Sequence, residues 1–275
     1  MCGRVDIHTP PAELARLLEA ALAPGVDPDG RPSWNVAPSR GIPVVLEEPA
    51  SSGIEVGSPK TVSSDSCVQD RTAESGNLEV AREELRRRLD MYRWGLLPHW
   101  AKDTRVGYKM INAKAETLTK SPAYRGPFRE HRCLVVVDGF FEWQALDETQ
   151  SKNKVPFYFR RADGQPITFA GLFEIWWDKS RSKEPDPETL LRTCTIITTE
   201  AGPDMIEVHN RMPVIIERRY VGEWLDSDRH DTDDLLAYLG PSPAGTLLKY
   251  AISKEVNSPR NDGPQVIEPL AVPGD

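Results

Sequence analysis

A cysteine follows the initiator methionine in Met1-Cys2-Gly3-Arg4, so removal of Met1 would leave an α-amine and a thiol on one residue. The two titrate near ~7.7–8.0 and ~8.5, and each has a usable nucleophilic fraction at neutral pH. An aldehyde meeting both can form an imine with the amine. The sulfur can then capture it, closing a stable five-membered thiazolidine.

Other polar residues stand inside apolar runs, where burial needs a chemical reason. Glu142 ends the run Val137-Asp138-Gly139-Phe140-Phe141-Glu142-Trp143. Desolvation by aromatic neighbours makes it a candidate general acid or base, with a structural ion pair as the alternative. His209, in Val208-His209-Asn210-Arg211-Met212-Pro213, can move a proton near pH 7 or serve as a structural histidine. Asn112 either caps a helical turn or offers its amide to a sugar hydroxyl. Arg4, Lys114 and Arg211 are candidates for phosphate or for carboxylate partners. Trp94 and Trp100 bracket a Gly/Pro turn, where indoles could stack on unpaired bases at roughly 1–3 kcal/mol each, or belong to the core. Cys133 and Cys194 lie in apolar strands and read as inert core thiols. The sequence contains no HExxH, CxxC or paired Cys/His cluster, so neither a metal nor a cofactor is expected.

Positioning these residues falls to a chain of 275 residues, long enough to bury a large core as one domain. An amphipathic helix is predicted over 9–22, from Leu14, Leu17, Leu18, Ala21 and Leu22 behind Pro10-Pro11. Strands are predicted at 92–96, 133–141, 156–160, 167–173, 192–199, 214–216 and 248–252. Asp-Gly pairs at 138–139 and 163–164 mark turns. Further helix is confined to the region after Asn112, the Met205 segment and the acidic segment near Trp224. With no βαβ alternation the expected class is α+β, mainly β: a curled or barrel-like antiparallel sheet with peripheral helices. One domain over 1–270 is expected, interrupted by a loop insertion at about 47–90 that is rich in Pro, Ser, Gly and acids and contains Cys67.

The net charge of −8 speaks against a general nucleic-acid coat, but the charge is segregated. Residues 91–161 carry thirteen Lys/Arg against seven Asp/Glu, whereas 223–239 hold six acids and one Arg. The middle third is therefore the face expected to meet a polyanion, and the acidic stretch reads as a solvated helical face turned away from it. With no signal segment and no run near eighteen apolar residues, the expectation is an intracellular chain without a membrane span. Irregularly spaced cysteines fit a reducing compartment.

In chain order, Met1-Cys2-Gly3-Arg4, Trp34-Asn35-Val36-Ala37-Pro38, Arg93-Trp94-Gly95-Leu96-Leu97-Pro98, Asn112-Ala113-Lys114-Ala115-Glu116-Thr117, Arg132-Cys133-Leu134, Asp138-Gly139-Phe140-Phe141-Glu142-Trp143, Ala170-Gly171-Leu172 and His209-Asn210-Arg211-Met212-Pro213 resemble the SRAP family, the SOS-response-associated peptidase fold. The resemblance spans almost the whole chain. It implies a DNA-damage function in which abasic sites in single-stranded DNA are shielded by a thiazolidine crosslink from the N-terminal cysteine. Crosslink reversal and AP-lyase chemistry accompany that reaction, and the family's name comes from a proposed autopeptidase activity that exposes the cysteine. Carried onto this chain, the resemblance makes Cys2 the crosslinking nucleophile. Asn112 and Glu142 line the abasic pocket, and His209 assists ring opening and reversal. Arg4, Asn35, Lys114 and Arg211 match positions near the DNA backbone, and Trp94 with Trp100 matches the aromatic wall of the cleft. Lys114 departs from relatives that carry arginine there, keeping the charge but losing the bidentate fork.

The implied partners are abasic single-stranded DNA and replication-fork proteins, with no membrane and a monomeric state. The implied location is the nucleus in a eukaryote and the cytoplasm or nucleoid in a bacterium. Two rival readings compete. One is an N-terminal-nucleophile amidohydrolase or peptidase, in which the Cys2 sulfur attacks a carbonyl with its own amine as base. The other is a noncatalytic single-strand-binding module in which Cys2 is incidental.

Overall fold

The computed structural model describes residues 2–47, 87–146 and 154–270. In chain order the first elements are β1 (Val5–Ile7), α1 (Pro11–Leu17), β2 (Ala20–Leu22), β3 (Ser33–Val36), β4 (Gly41–Glu47), β5 (Arg87–Trp94) and β6 (Asn112–Lys114). The middle of the chain supplies α2 (Arg125–Glu130), β7 (Arg132–Val137), β8 (Gly139–Ala145), β9 (Lys154–Arg161), β10 (Ile167–Trp177) and β11 (Leu190–Glu200). The last elements are β12 (Arg211–Pro213), α3 (Val221–Leu225), α4 (Thr232–Leu236) and β13 (Leu247–Ala251).

Five of these strands close on themselves. The order β11-β10-β7-β4-β5 is antiparallel throughout, and a parallel pairing of β5 with β11, Thr193 opposite Arg93 and Cys194 opposite Trp94, completes the ring. Closure removes the free edges that an open sheet would expose. It also explains why β7 is buried along its whole length. Cys133, Val135 and Val137 join an inward cluster with Ile42, Val44, Trp94 and Ile196, while the alternating Leu134 and Val136 pack outward with Leu14, Val221 and Trp224 of the helices.

A second sheet, ordered β13-β9-β8-β1-β3, packs Val5, Val36, Phe140 and Phe159 onto the inward cluster. The chain passes from barrel to second sheet at Asp138, whose N–H donates to Asp6 O at 2.9 Å. The Asp-Gly pair expected to make a turn there is this corner, so the predicted strand 133–141 is two strands in two sheets. Where β5 leaves the barrel, Gly95 takes φ +121 and lies so near Gly107 that a Cβ would stand 2.6 Å from Gly107 O. Only glycine fits that turn.

The mainly β architecture with peripheral helices agrees with the expectation, and several local readings are corrected. The helix over 9–22 stops at Leu17, because Glu19 turns left-handed at φ 54 and Ala20–Leu22 becomes a strand parallel to β5. Directly at Asn112 the chain is a strand, β6 pairing in parallel with β11, and the helix expected after it is a 3₁₀ turn at Ala115–Thr117 followed by α2. Turns without an α-helix span the Met205 segment. Within 214–216, Ile215 makes only an isolated bridge to Phe169, and the strand lies earlier, as β12. The ends of the expected insertion, Glu47 and Arg87 to Asp90, belong to paired strands β4 and β5; Cys67 lies outside the described residues. Among the described residues no helix is long and apolar enough to cross a membrane.

Candidate active site

Cys2 precedes β1 and is fully buried in the inward cluster. Its carbonyl accepts a hydrogen bond from Asn112 Nδ2 at 2.7 Å, joining residues 110 positions apart. Asn112 is presented by β6, which the edge of β11 holds in register, Ile196 opposite Asn112. Tyr124 fixes it further by donating to Asn112 O at 3.3 Å. Asn112 Oδ1 is buried with no hydrogen-bond partner among the described residues. That is a ready acceptor for a ligand hydroxyl, since an orphaned buried acceptor costs roughly 1–3 kcal/mol.

Glu142 lies on β8, between β9 and β1, opposite Phe157 of β9, and is 3% exposed. Its charge acts on both other titratable members of the cluster. Burial pushes the Cys2 thiol well above its ordinary range, and Glu142 adds to the rise. Burial lowers the His209 pKa, and Glu142 opposes that fall. His209 sits at the end of a turn held by its own N–H donating to Met205 O at 3.0 Å. His209 Nδ1 is held by the Arg211 backbone, 3.0 Å from its N–H and 3.2 Å from its carbonyl oxygen. The arrangement therefore offers a protonated thiol, a carboxyl group and an imidazole able to exchange a proton.

The proposed DNA-contact residues fall into different environments. Arg4 Nη1 donates to Asn35 Oδ1 at 2.6 Å and to Val256 O at 3.0 Å, while its Nε is buried and unpartnered among the described residues. Burial lowers the Arg4 pKa, and no carboxylate pairs with it among the described residues. Asn35 is 3% exposed, and the carbonyls of Val256, Ser258 and Asn261 ring its Nδ2 at 2.8–3.1 Å. It acts as a clasp that aims Arg4, and is too enclosed to touch DNA itself. Arg211 is committed to Glu116 through a bidentate ion pair and to Thr198 O at 2.7 Å. Lys114 is exposed, two residues along β6 from Asn112 and so on the same strand face.

Trp94 is completely buried, and its indole N–H donates to Ile111 O at 2.9 Å. It has no face to offer a base, and the stacking expectation is corrected: Trp94 supports the backbone beside Asn112 from within the core. Trp100 is 52% exposed. It shares a surface recess with His99, Lys102 and Trp177, and no hydrogen bond or ring contact joins it to the Cys2 cluster among the described residues.

Sequence reading missed a second polar group beside the first. Asp6, His8 and Asp138 bring three potential ligand atoms within 4.8 Å of one another. Donors already satisfy those oxygens. Tyr158 donates to Asp6 Oδ2 at 2.7 Å, and Asp138 accepts from His8 N, Thr9 N and Thr9 Oγ1 at 2.5–2.8 Å. The group is a hydrogen-bonded cluster, and the one signal for it in the sequence was a charge set between the apolar Val5 and Ile7.

A closed five-stranded barrel, flanked by a second sheet that brings a cysteine near the N-terminus to an asparagine, a glutamate and a histidine, defines the class of protein. The model of the SOS response associated peptidase (SRAP) family matches residues 1–259, and the chain belongs to that family. It is 35% identical over 270 residues to the abasic site processing protein YoqW of Bacillus subtilis, covering 98% of this chain and 99% of the relative. It is 29% identical over 296 residues to the abasic site processing protein HMCES of Gallus gallus, covering 98% of this chain and 78% of the relative. A Bacteroides thetaiotaomicron protein of known crystal structure shares the fold, with a TM-score of 0.73 at 19% identity over 98% of this chain and 100% of that one.

Proposed function

We propose that this protein processes abasic sites in single-stranded DNA by capturing the ring-opened sugar aldehyde as a thiazolidine on Cys2, after Met1 is removed. The observation that carries the reading is the convergence of Cys2 with Asn112, Glu142 and His209 from four distant parts of the chain. Membership of a family whose relatives are named abasic site processing proteins supplies the substrate.

An abasic deoxyribose is mostly a closed hemiacetal. Protonated His209 gives a proton to the ring oxygen while the Glu142 carboxylate takes the hydroxyl proton, and the C1′ aldehyde is released. The Cys2 amine adds to C1′. Glu142, now protonated, returns its proton to the departing hydroxyl, and water leaves an iminium. Sγ then bonds to C1′ as the C=N pair moves to nitrogen, and the thiol proton passes to His209, replacing the one it gave. The net change is aldehyde plus aminothiol to thiazolidine plus water, and the same steps in reverse release the DNA. If sulfur is late, a base removes the C2′ proton and the 3′ phosphate departs with the C3′–O pair, which is lyase chemistry. Burial that keeps the thiol protonated weighs against the sulfur as first nucleophile on an amide, the requirement of the peptidase alternative.

The test mixes protein of confirmed Met1-free mass with single-stranded DNA bearing one abasic site, beside Cys2→Ala and an intact-base control. A heat-stable adduct that forms without borohydride and is absent from both controls is expected. No adduct would sink the crosslinking reading and send the search to amide substrates.

A further inference from the structure

We infer that Asp6, held by Tyr158, is a positioning residue that fixes the register of β1 and thereby aims the Cys2 thiol at the C1′ carbon of the iminium formed by its own amine; this rests on the crosslinking reading above. β1 is three residues long. It pairs with β8 through Val5 opposite Phe140 and Asp6 opposite Gly139, while its pairing with β3 shifts register between Val5 and Ile7. Phe141 N–H donates to Arg4 O at 3.1 Å, so the same register runs on toward Gly3 beside Glu142. So short a strand with an irregular neighbour is poorly specified by its backbone, and a slip of one residue would turn the Cys2 side chain to the opposite face.

Asp6 supplies the missing specification. Its side chain is fully buried and its Oδ2 accepts from Tyr158 of β9 at 2.7 Å. The bond crosses Gly139, where a Cβ would stand 2.3 Å from Tyr158 Oη. Both carboxylate oxygens also lie 3.0 Å from His8 Nδ1, and Asp138 anchors the His8 N–H at 2.7 Å. Thus β1, β8 and β9 are pinned at one point, four residues from Cys2. An apolar residue there would fill the space without the desolvation cost of a buried carboxylate, but it would carry no direction. Fixing register is the best-attested use of a buried polar group.

The consequence is chemical. A loosened β1 leaves the amine able to form the iminium but delays formation of the S–C1′ bond. Loss of the C2′ proton and departure of the 3′ phosphate then gain ground. The ratio of thiazolidine adduct to cleaved strand reads the positioning, whereas simple loss of folded protein lowers both products together.

The experiment compares Asp6→Ala, Asp6→Asn and Tyr158→Phe with the parent on single-stranded DNA carrying one abasic site, and measures peptide-resolved alkylation of Cys2 and Cys133 in the same proteins. Asp6→Ala and Tyr158→Phe are expected to lower the adduct-to-cleavage ratio at least about fivefold. Each should also raise Cys2 alkylation by a similar factor while the buried Cys133 stays unlabelled. Asp6→Asn, which still accepts from Tyr158, restores most of both. Should Asp6→Ala fail to fold, Tyr158→Phe removes the bond alone. Unchanged ratio and labelling, or Cys133 labelled in step with Cys2, would overturn the inference. If the parent protein forms no adduct, the crosslinking reading falls, and the Cys2-to-Cys133 labelling ratio still decides whether Asp6 positions Cys2.

Discussion

Asn112 carries two jobs on one amide. Its Nδ2 holds the Cys2 carbonyl at 2.7 Å and its Oδ1 is buried without a partner among the described residues. Asn112→Ala removes both and should slow adduct formation about 10- to 100-fold, since small displacements of a reacting group cost that much, at a stability loss of about 1 kcal/mol. Asn112→Asp keeps the shape but sets an oxygen against the Cys2 carbonyl, so it should be no better. Single-turnover crosslinking rates check both variants. His8 allows a pH prediction whose sign is fixed by its shift. The hydrogen bond to Asp6, opposed by burial, raises its pKa above the ordinary 6.5. The folded protein therefore binds this proton more tightly than the unfolded chain does. The stabilisation is complete below pH 6.5 and is lost as pH rises through the folded value. Because His8 is partly exposed, the effect should not exceed about 1 kcal/mol. Thermal melts of the parent minus His8→Gln, taken from pH 6 to 9, should converge toward the alkaline end; a constant difference would refute the linkage.

At the scale of elements, the clasp formed by Asn35 ties β3 to the segment around Val256–Asn261 while it aims Arg4. Asn35→Ala strands several buried carbonyls and should cost about 2 kcal/mol, or a fall in Tm of about 4–8 °C, measured by calorimetry. The sequence revealed the long barrel strands β7, β10 and β11 because their β-branched and apolar runs are continuous, as burial on both faces demands. It concealed the strands that build the site. In β1 the charge of Asp6 interrupts a three-residue run, in β4 Pro43 argues against a strand, and in β6 the helix formers Ala113 and Lys114 mislead. The open edge of β11 overrides that last propensity by offering parallel backbone partners. The four residues proposed for the chemistry stood out in the sequence because each is a polar type stranded in an apolar or motif-like run. Trp94 was misread because a tryptophan beside a Gly/Pro turn looks the same whether it faces a base or, as here, donates to a carbonyl in the core.

For the whole molecule, an acidic protein must meet a polyanion through a local field. Residues 91–161 concentrate positive charge within a chain of net charge −8. Strand binding should therefore weaken steeply with salt, each neutralised phosphate contributing a slope of about −0.7 in log K against log salt. Which arginines contribute depends on their partners. The Arg4 guanidinium is half-buried, its pKa lowered by burial, with Nε unpartnered and no carboxylate paired to it among the described residues. Arg211 already spends its charge on Glu116 and its remaining reach on Thr198. Its charge is neutralised before any phosphate arrives, so binding there would release no additional counterion. Arg4→Gln should make the salt slope shallower by about 0.7, whereas Arg211→Gln should leave it unchanged, although it also removes the brace of Glu116. Titrations of a Cys2→Ala background with single-stranded DNA from 50 to 300 mM salt separate the two. Equal changes for both arginines would mean that Glu116 is displaced on binding, and that Arg211 reaches the strand after all.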